Sequence, residues 1–368
     1  MAESLHSPVP SDARIRDVLR ERIDRQKQSV GIAVGILEPG GRRIIAHGRL
    51  GKEDPRPPNE DSVFEIGSAT KVFTALVLAD MVHHGEVWLS DPAEKYLPPG
   101  VKIPQRGARQ ITLEHLATHR SGLPRLPSHL SLKNQANPYA DYSIDQLYQF
   151  LSSYRLTSDI GSQYVYSNLG GGLLGHLLAR RRGVGYEELV RTRILEPLKM
   201  NSTRITLSED MKLRLASGYD RALNPVPMWD LPALGGAGAL RSTARDLLTF
   251  LEAVLGYVPS PLAPAMAAML AVRYPTGVRG LEIALGWHGL TRDGREVIWH
   301  NGGTGGFRCF IGYDPMKRIA VVVLSNAGTV AGVDDIGLHL LDARLALSRP
   351  PKPFWSKVKE LASPWSPP

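Results

Sequence analysis

Three short stretches of this chain carry side chains that could do chemistry together. In Ser68-Ala69-Thr70-Lys71 a hydroxyl and an amine stand three residues apart, ahead of an apolar run (Val72, Phe73, Leu76, Val77, Ala79, Val82) that reads as a helix. They therefore share one helix face. A serine attacks a carbonyl only when a base takes its proton, and a lysine can be that base only where burial or neighbouring positive charge lowers its pKa. A helix start adds positive potential and free N–H groups directed at whatever Ser68 would attack. The S-x-x-K spacing is short, and a chain of this length holds about one copy by chance.

In Tyr166-Ser167-Asn168, which leads into a glycine-rich helix start, a phenol can shuttle a proton and an amide can hold Lys71 or a substrate carbonyl. The same residues also suit a packed tyrosine with a capping asparagine. His300-Asn301-Gly302-Gly303, running on into Thr304-Gly305-Gly306-Phe307, closes a strand-like segment. Its glycines let a backbone edge approach a ligand and offer an N–H as half of an oxyanion hole. A second His-x-Gly, His83-His84-Gly85, means that this triplet decides nothing by itself.

The elements that must position these groups follow from periodicity and punctuation. Ser11 and Asp12 precede Ile15, Val18, Leu19 and Ile23 at helical spacing, so a capped amphipathic helix is expected to end near Gln28. Strands are expected over 30–37 and 42–49, joined across Glu38-Pro39-Gly40-Gly41 as a hairpin. The other end of the chain has the same texture, with strands over 297–300, 307–313 and 318–325 and then a helix over 333–347. Helices are expected between, over 143–153, 168–182, 186–195 and 242–255, with Ser143 and either Ser242 or Thr243 as caps. Strands at both ends need partners, and an open edge invites aggregation, so one antiparallel sheet built from both termini is the economical solution. The fold class is thus α/β (α+β), an antiparallel sheet with flanking helices and an all-helical insertion. Residues 12–100 and 276–347 form the sheet domain, 101–275 the helical one, and 348–368 a Pro-rich tail whose aromatics suggest a docked arm.

Composition narrows the function classes. The 368 residues are 43% hydrophobic and 22% charged, with 36 Gly and 28 Pro, as in a globular chain and unlike a disordered one. A net charge of +8 favours anionic small molecules or surfaces as neighbours. No basic stretch interleaves with aromatics, so nucleic acid is not an expected partner. No apolar stretch reaches the ~18–20 residues of a membrane span. The single cysteine, Cys309, excludes an internal disulfide and reads as a small packed hydrophobe. The first eleven residues show no export signal, so the expected location is cytoplasmic, or periplasmic or secreted if a leader was removed.

Taken in order, the Ser–Lys, Tyr–Asn and His–Gly motifs resemble those of the serine β-lactamase and penicillin-binding protein superfamily. The likeness extends through 112–124 (TLEHLATHRSGLP), 166–175, 196–203 and 320–326, and covers about 12–347. It is nearest to the class C-like branch, which also holds D-alanyl-D-alanine peptidases, D-aminopeptidases and carboxylesterases. The resemblance implies Ser68 as acylated nucleophile, Lys71 as its base, Tyr166 as proton shuttle and Asn168 as substrate clamp. It also implies an oxyanion hole from the N–H groups of Ser68 and Gly303, with His300 and Gly302 beside the substrate. No metal or cofactor is implied, and the partner is a small ester, amide or β-lactam. Where class C enzymes carry Lys-Thr-Gly, this chain has His300-Asn301-Gly302, an imidazole mostly neutral near pH 7 in place of an ammonium. Arg120, Arg125, Arg241 or Arg308 could restore the charge.

The expected function is a serine hydrolase acting through an acyl-enzyme on ester or amide bonds, by carboxylester or β-lactam hydrolysis. The imidazole and the missing export signal tilt this slightly towards short-chain esters or small amides. Alternatives are a D-Ala-D-Ala-type peptidase or D-aminopeptidase, an acyltransferase or peptide cyclase, and a penicillin-binding or sensor protein without turnover. Two other patterns are set aside. Gly170–Gly175 fits G-x-G-x-x-G but follows no strand, and His115 and His119, one helical turn apart, lack a third metal ligand.

Overall fold

The computed structural model describes residues 9–128, 130, 134, 136–329 and 333–348. The tail from 349 onward, with its expected docking, lies outside these residues. Strands β1 (Gly31–Glu38) and β2 (Gly41–Gly48) form the expected hairpin, with Val34 opposite Ile45. Two short pairs follow: β3 (Phe64–Glu65) with β6 (Arg241–Ser242), and β4 (Gly218–Tyr219) with β5 (Pro225–Val226). Then come β7 (Tyr274–Pro275), β8 (Leu281–Ile283), β9 (His288–Arg292), β10 (Arg295–Gly303), β11 (Arg308–Asp314) and β12 (Ile319–Ser325). The large sheet is antiparallel, in the order β2-β1-β12-β11-β10-β9-β8-β7, and Val34 faces Val323 where the two ends of the chain meet.

The helices are α1 (Asp12–Arg20), α2 (Thr70–His83), α3 (Leu113–Ala117), α4 (Ile144–Ser153), α5 (Asn168–Arg182), α6 (Tyr186–Val190), α7 (Glu209–Leu213), α8 (Gly235–Gly238), α9 (Ala244–Val254), α10 (Ala263–Ala268) and α11 (Asp334–Leu341). Local chemistry sets their starts. Ser11, Ser143, Ser167 and Thr243 each accept a hydrogen bond from a backbone N–H in the first turn they cap, and at α4 the Gln146 side chain returns the bond to Ser143.

The middle strand β12 is buried along its whole length because helices cover both faces of the sheet. Val321 and Val323 pack with Ile15, Leu19, Ile336 and Leu340 on one side, while Val322 and Leu324 join the larger core that holds α2, α5 and α9 on the other. Alternation along one strand thus joins two cores, each such side chain contributing about 1.5–3 kcal/mol. Helix α2 lies inside the larger core, buried from Thr70 to Met81. An all-round apolar helix can be stable only there.

Three expectations need adjusting. The stretch 101–275 is not all helical, since it carries the short strands β4 to β7, which pair with one another, with β3 and with β8. Strands β7, β8 and β9 extend the sheet where no strand was expected, because they are short and broken by Gly277, Gly280 and Gly286 in the left-handed region. Helix α11 ends at Leu341 instead of near 347, since Asp342 turns to extended backbone and binds the Arg344 guanidinium.

Candidate active site

Ser68 occupies a 3-10 turn, Gly67–Ala69, that feeds directly into α2. The turn is pinned from below: the Ile66 N–H donates to the Leu240 carbonyl at 3.1 Å, and Leu240 N–H donates to the Thr70 hydroxyl at 3.2 Å. Its position at the head of the helix leaves the Ser68 N–H without an intrahelical acceptor. Ser68 is only partly buried, while Gly67, Ala69, Thr70 and Lys71 around it are buried.

Lys71 lies 4% exposed, and its Nζ is 3.1 Å from Ser68 Oγ, 2.9 Å from Asn168 Oδ1 and 2.7 Å from the Ala237 carbonyl oxygen. Burial, and then the charge of Arg125, push its pKa well below the ordinary lysine range. A neutral amine has two N–H bonds and one lone pair. The two carbonyl oxygens can only accept, so they take both N–H groups, and the lone pair is left to receive the Ser68 proton. The glycine-rich start of α5 makes room for this: a Cβ on Gly171 would sit 2.9 Å from Lys71 Cε, and one on Gly175 would sit 2.9 Å from the Gly236 backbone. The Gly170–Gly175 pattern therefore serves close helix packing.

Tyr166 stands beside this pair. Lys71 Nζ is 4.9 Å from the centre of its ring, and Ser68 is close enough to its phenol to lower its pKa. Burial pushes the phenol up to about 12, with Ser68 and Arg125 pulling the other way, so at neutral pH it holds its proton and can pass it on. The loop is fixed by the 119–125 segment: Ser167 N–H donates to His119 Nδ1 at 3.1 Å, Ser167 Oγ to the Pro124 carbonyl at 2.6 Å, and Asn168 N–H to the Arg125 carbonyl at 3.0 Å. Asn168 spans the gap to the other wall, donating from Nδ2 to the Tyr139 hydroxyl at 3.3 Å.

The end of β10 supplies the third side. Strand alternation turns Gly302 towards Ser68 and Asn301 away, the latter donating to Asp334 at the start of α11 at 2.5 Å. A Cβ on Gly302 would overlap the Ile66 carbonyl oxygen and lie 3.0 Å from Ser68 N, and one on Gly67 would lie 2.6 Å from Gly303 N. Two glycines thus let the strand edge meet the Ser68 turn. Substituting Gly302 with alanine should force that edge away from Ser68. The expected result is a loss of about 1–3 kcal/mol in stability from overpacking and about a hundredfold in kcat/KM from displaced donors, read by thermal unfolding and steady-state kinetics.

His300 is fully buried, with Nδ1 2.6 Å from the Asn301 carbonyl oxygen and Nε2 without a partner among the described residues. Since that carbonyl can only accept, Nδ1 carries the proton. Burial, followed by the nearby His288 and Lys71, holds its pKa well below the usual imidazole value, so the ring is neutral. Of the four arginines named from sequence, Arg241 is buried against Glu65 and donates to the Ile205 and Trp229 carbonyls. Arg120 stacks 3.5 Å from the Tyr274 ring centre. Arg308 donates to the Thr329 and Gly328 carbonyls and lies over Gly303, on the face away from Gly302. Arg125 alone projects over Tyr166, with its guanidinium carbon 5.2 Å from the ring centre.

Sequence reasoning missed the Ala237 carbonyl, because a backbone acceptor has no residue-type signature. It also missed that His119 positions Tyr166–Asn168, the ring lying 4.5 Å from the Tyr166 ring. His115 and His119 have separate tasks, since His115 Nδ1 accepts from Thr112 N–H in the cap of α3. Cys309 is buried in the larger core.

A serine turn at the head of a buried helix, with a lysine, a phenol and a glycine strand edge converging on it beside a large antiparallel sheet, is the arrangement of a serine hydrolase. The beta-lactamase family model matches residues 15–344, and the chain belongs to that family. It is 31% identical over 315 residues to the D-alanyl-D-alanine-carboxypeptidase/endopeptidase AmpH of Escherichia coli (strain K12), covering 80% of this chain and 79% of that protein. A beta-lactamase of Pseudomonas fluorescens is 27% identical over 348 residues, covering 85% and 93%. Among solved structures, a beta-lactamase/D-alanine carboxypeptidase from Yersinia pestis superposes with a TM-score of 0.78 at 26% identity, covering 91% of this chain and 98% of that one. A class C beta lactamase from Rhodobacter sphaeroides gives 0.77 at 26% identity with the same coverage. No helix among the described residues is long and apolar enough to cross a membrane.

Proposed function

We propose that this serine hydrolase cleaves ester or amide bonds, β-lactams included, through an acyl-enzyme on Ser68. The observation that carries the reading is the buried Lys71 amine, 3.1 Å from Ser68 Oγ and held there by two carbonyl oxygens. In the first step Lys71 Nζ takes the Ser68 proton as Oγ bonds to the substrate carbonyl carbon. The resulting oxyanion lies against the N–H groups of Ser68 and Gly303, each such donor contributing about 2.7–4 kcal/mol in comparable sites. The tetrahedral centre collapses as the leaving atom accepts the Tyr166 proton, which Lys71 replaces. Water then attacks the acyl ester and gives its proton back along the same groups, releasing the acid. Asn168 orients both Lys71 and the substrate.

Intact-mass measurement of a rapidly quenched reaction with a p-nitrophenyl ester or a chromogenic cephalosporin tests the reading. An acyl adduct mapping to Ser68 is expected, and turnover with Ser68 never modified would refute it. Tyr166→Phe removes the proton relay and leaves the ring, and should lower kcat by about 10²–10⁴-fold, most for substrates with basic leaving groups. A series of leaving groups of rising pKa checks this.

A D-Ala-D-Ala-type peptidase is the second reading, favoured by the likeness to AmpH at 31% identity. The neutral His300 imidazole, without an ammonium at that position, leans towards small esters or amides. A compartment beyond the cytoplasm would accompany the peptidase reading.

A further inference from the structure

The neutral, fully buried His300 leaves the strand side of the cleft without a cation. Positive charge is present beside Tyr166. Arg125 is exposed, its guanidinium lies over the Tyr166 ring, and its side chain has no polar partner among the described residues. Its backbone is fixed, because the Arg125 carbonyl accepts from both Asn168 N–H at 3.0 Å and Leu169 N–H at 3.2 Å. A free cation on a rigid loop next to the phenol that protonates the leaving atom is placed to meet an anion on the departing part of the substrate. The alternatives are engaged elsewhere: Arg241 and Arg308 on main-chain carbonyls, Arg120 on Tyr274 and the Gly161 carbonyl. The aromatic pair Tyr139 and Trp229, with ring centres 5.3 Å apart, continues the same wall through the Tyr139–Asn168 bond.

We infer that Arg125 is the specificity-determining residue that binds a carboxylate on the leaving-group side of the substrate, supplying from the 119–125 segment the charge absent at the His300 position of β10. This rests on the proposed acyl-enzyme reaction and narrows it. The preferred substrates are amides or esters whose departing portion carries a carboxylate, as in peptides with a free C-terminus and in β-lactams. That reverses the slight tilt towards uncharged esters suggested by His300 alone.

The test uses an isosteric pair, 3-carboxyphenyl acetate and 3-carbamoylphenyl acetate, which differ by one negative charge on the leaving group. The ratio of their kcat/KM values is measured for wild type, Arg125→Gln and Arg125→Lys. A charge-assisted contact predicts that Gln lowers the anionic-to-neutral ratio about ten- to a hundredfold, mainly through KM, and that Lys keeps part of it. Rising salt should shrink the wild-type ratio in the same direction, a readout that needs no variant. A merely structural role would depress both esters alike, so a ratio unchanged in Arg125→Gln and insensitive to salt overturns the inference. Failure of both esters to acylate wild-type Ser68 would instead overturn the hydrolase reading.

Discussion

Replacing Ser68 with alanine is expected to lower kcat/KM by about 10⁴-fold or more on every substrate while leaving thermal stability nearly unchanged. Ser68 sits partly exposed at the helix start, and alanine suits the turn. Deletion of a nucleophile in a cooperating set costs about as much as deletion of the whole set, because the remaining members have nothing to activate. The backbone N–H groups of Ser68 and Gly303 survive the change, so substrate should still bind with a KM of the same order. Binding measured by equilibrium titration of a slow substrate separates the two effects. Retention of more than a few per cent of kcat/KM in Ser68→Ala would place the chemistry on another group.

Lys71→Ala is expected to lose about 10³–10⁴-fold in kcat, and the pH dependence tells why. In the proposed mechanism Lys71 accepts the Ser68 proton only when neutral, so the rate is expected to rise as pH passes upward through its pKa and to be lost below it. Burial and Arg125 place that pKa well under the ordinary lysine value of 10.5, so the acid limb is expected well below that pH. Around it stand Ser68, Asn168, Tyr166 and Arg125, with the neutral His300 beyond. At the alkaline end the Tyr166 proton, held up to about pH 12, sets the fall. Wild-type kcat/KM should therefore show a plateau between these limits, and the residual activity of Lys71→Ala should lack the acid limb. An acid limb of unchanged position in the variant would assign the base elsewhere. The same shift acts on stability: the unfolded chain protonates Lys71 below 10.5 while the fold holds it neutral. This residue thus makes the fold gain stability as pH rises from its folded pKa to 10.5.

Much of the fold is legible because its signals are local. Ser11, Ser143 and Thr243 cap helices where their hydroxyls precede apolar periodicity, and the turn at Pro39-Gly40 joins β1 and β2 as its composition requires. Alternation of Val321, Val322, Val323 and Leu324 between two cores is hidden in sequence, because a strand covered on both faces shows one unbroken apolar run. Strands β7 to β9 were missed for the opposite reason, being too short and too polar to show a period, and they exist only because β10 offers them an edge.

Residue types and their order along the chain determined the inventory of this site: a hydroxyl and an amine one helical turn apart, a phenol with an amide, and a glycine run able to lie close to another backbone. These are covalent and local facts, and folding does not alter them. Tertiary structure decided the electrical state of each group. Lys71 has its pKa pushed well down because α5 and α8 enclose it, His300 is uncharged because it is buried beside Tyr166 and His288, and Arg125 stays an exposed cation over the Tyr166 ring. Charge depends on solvent exclusion and on neighbours distant in sequence, and those are settled only when the chain has packed.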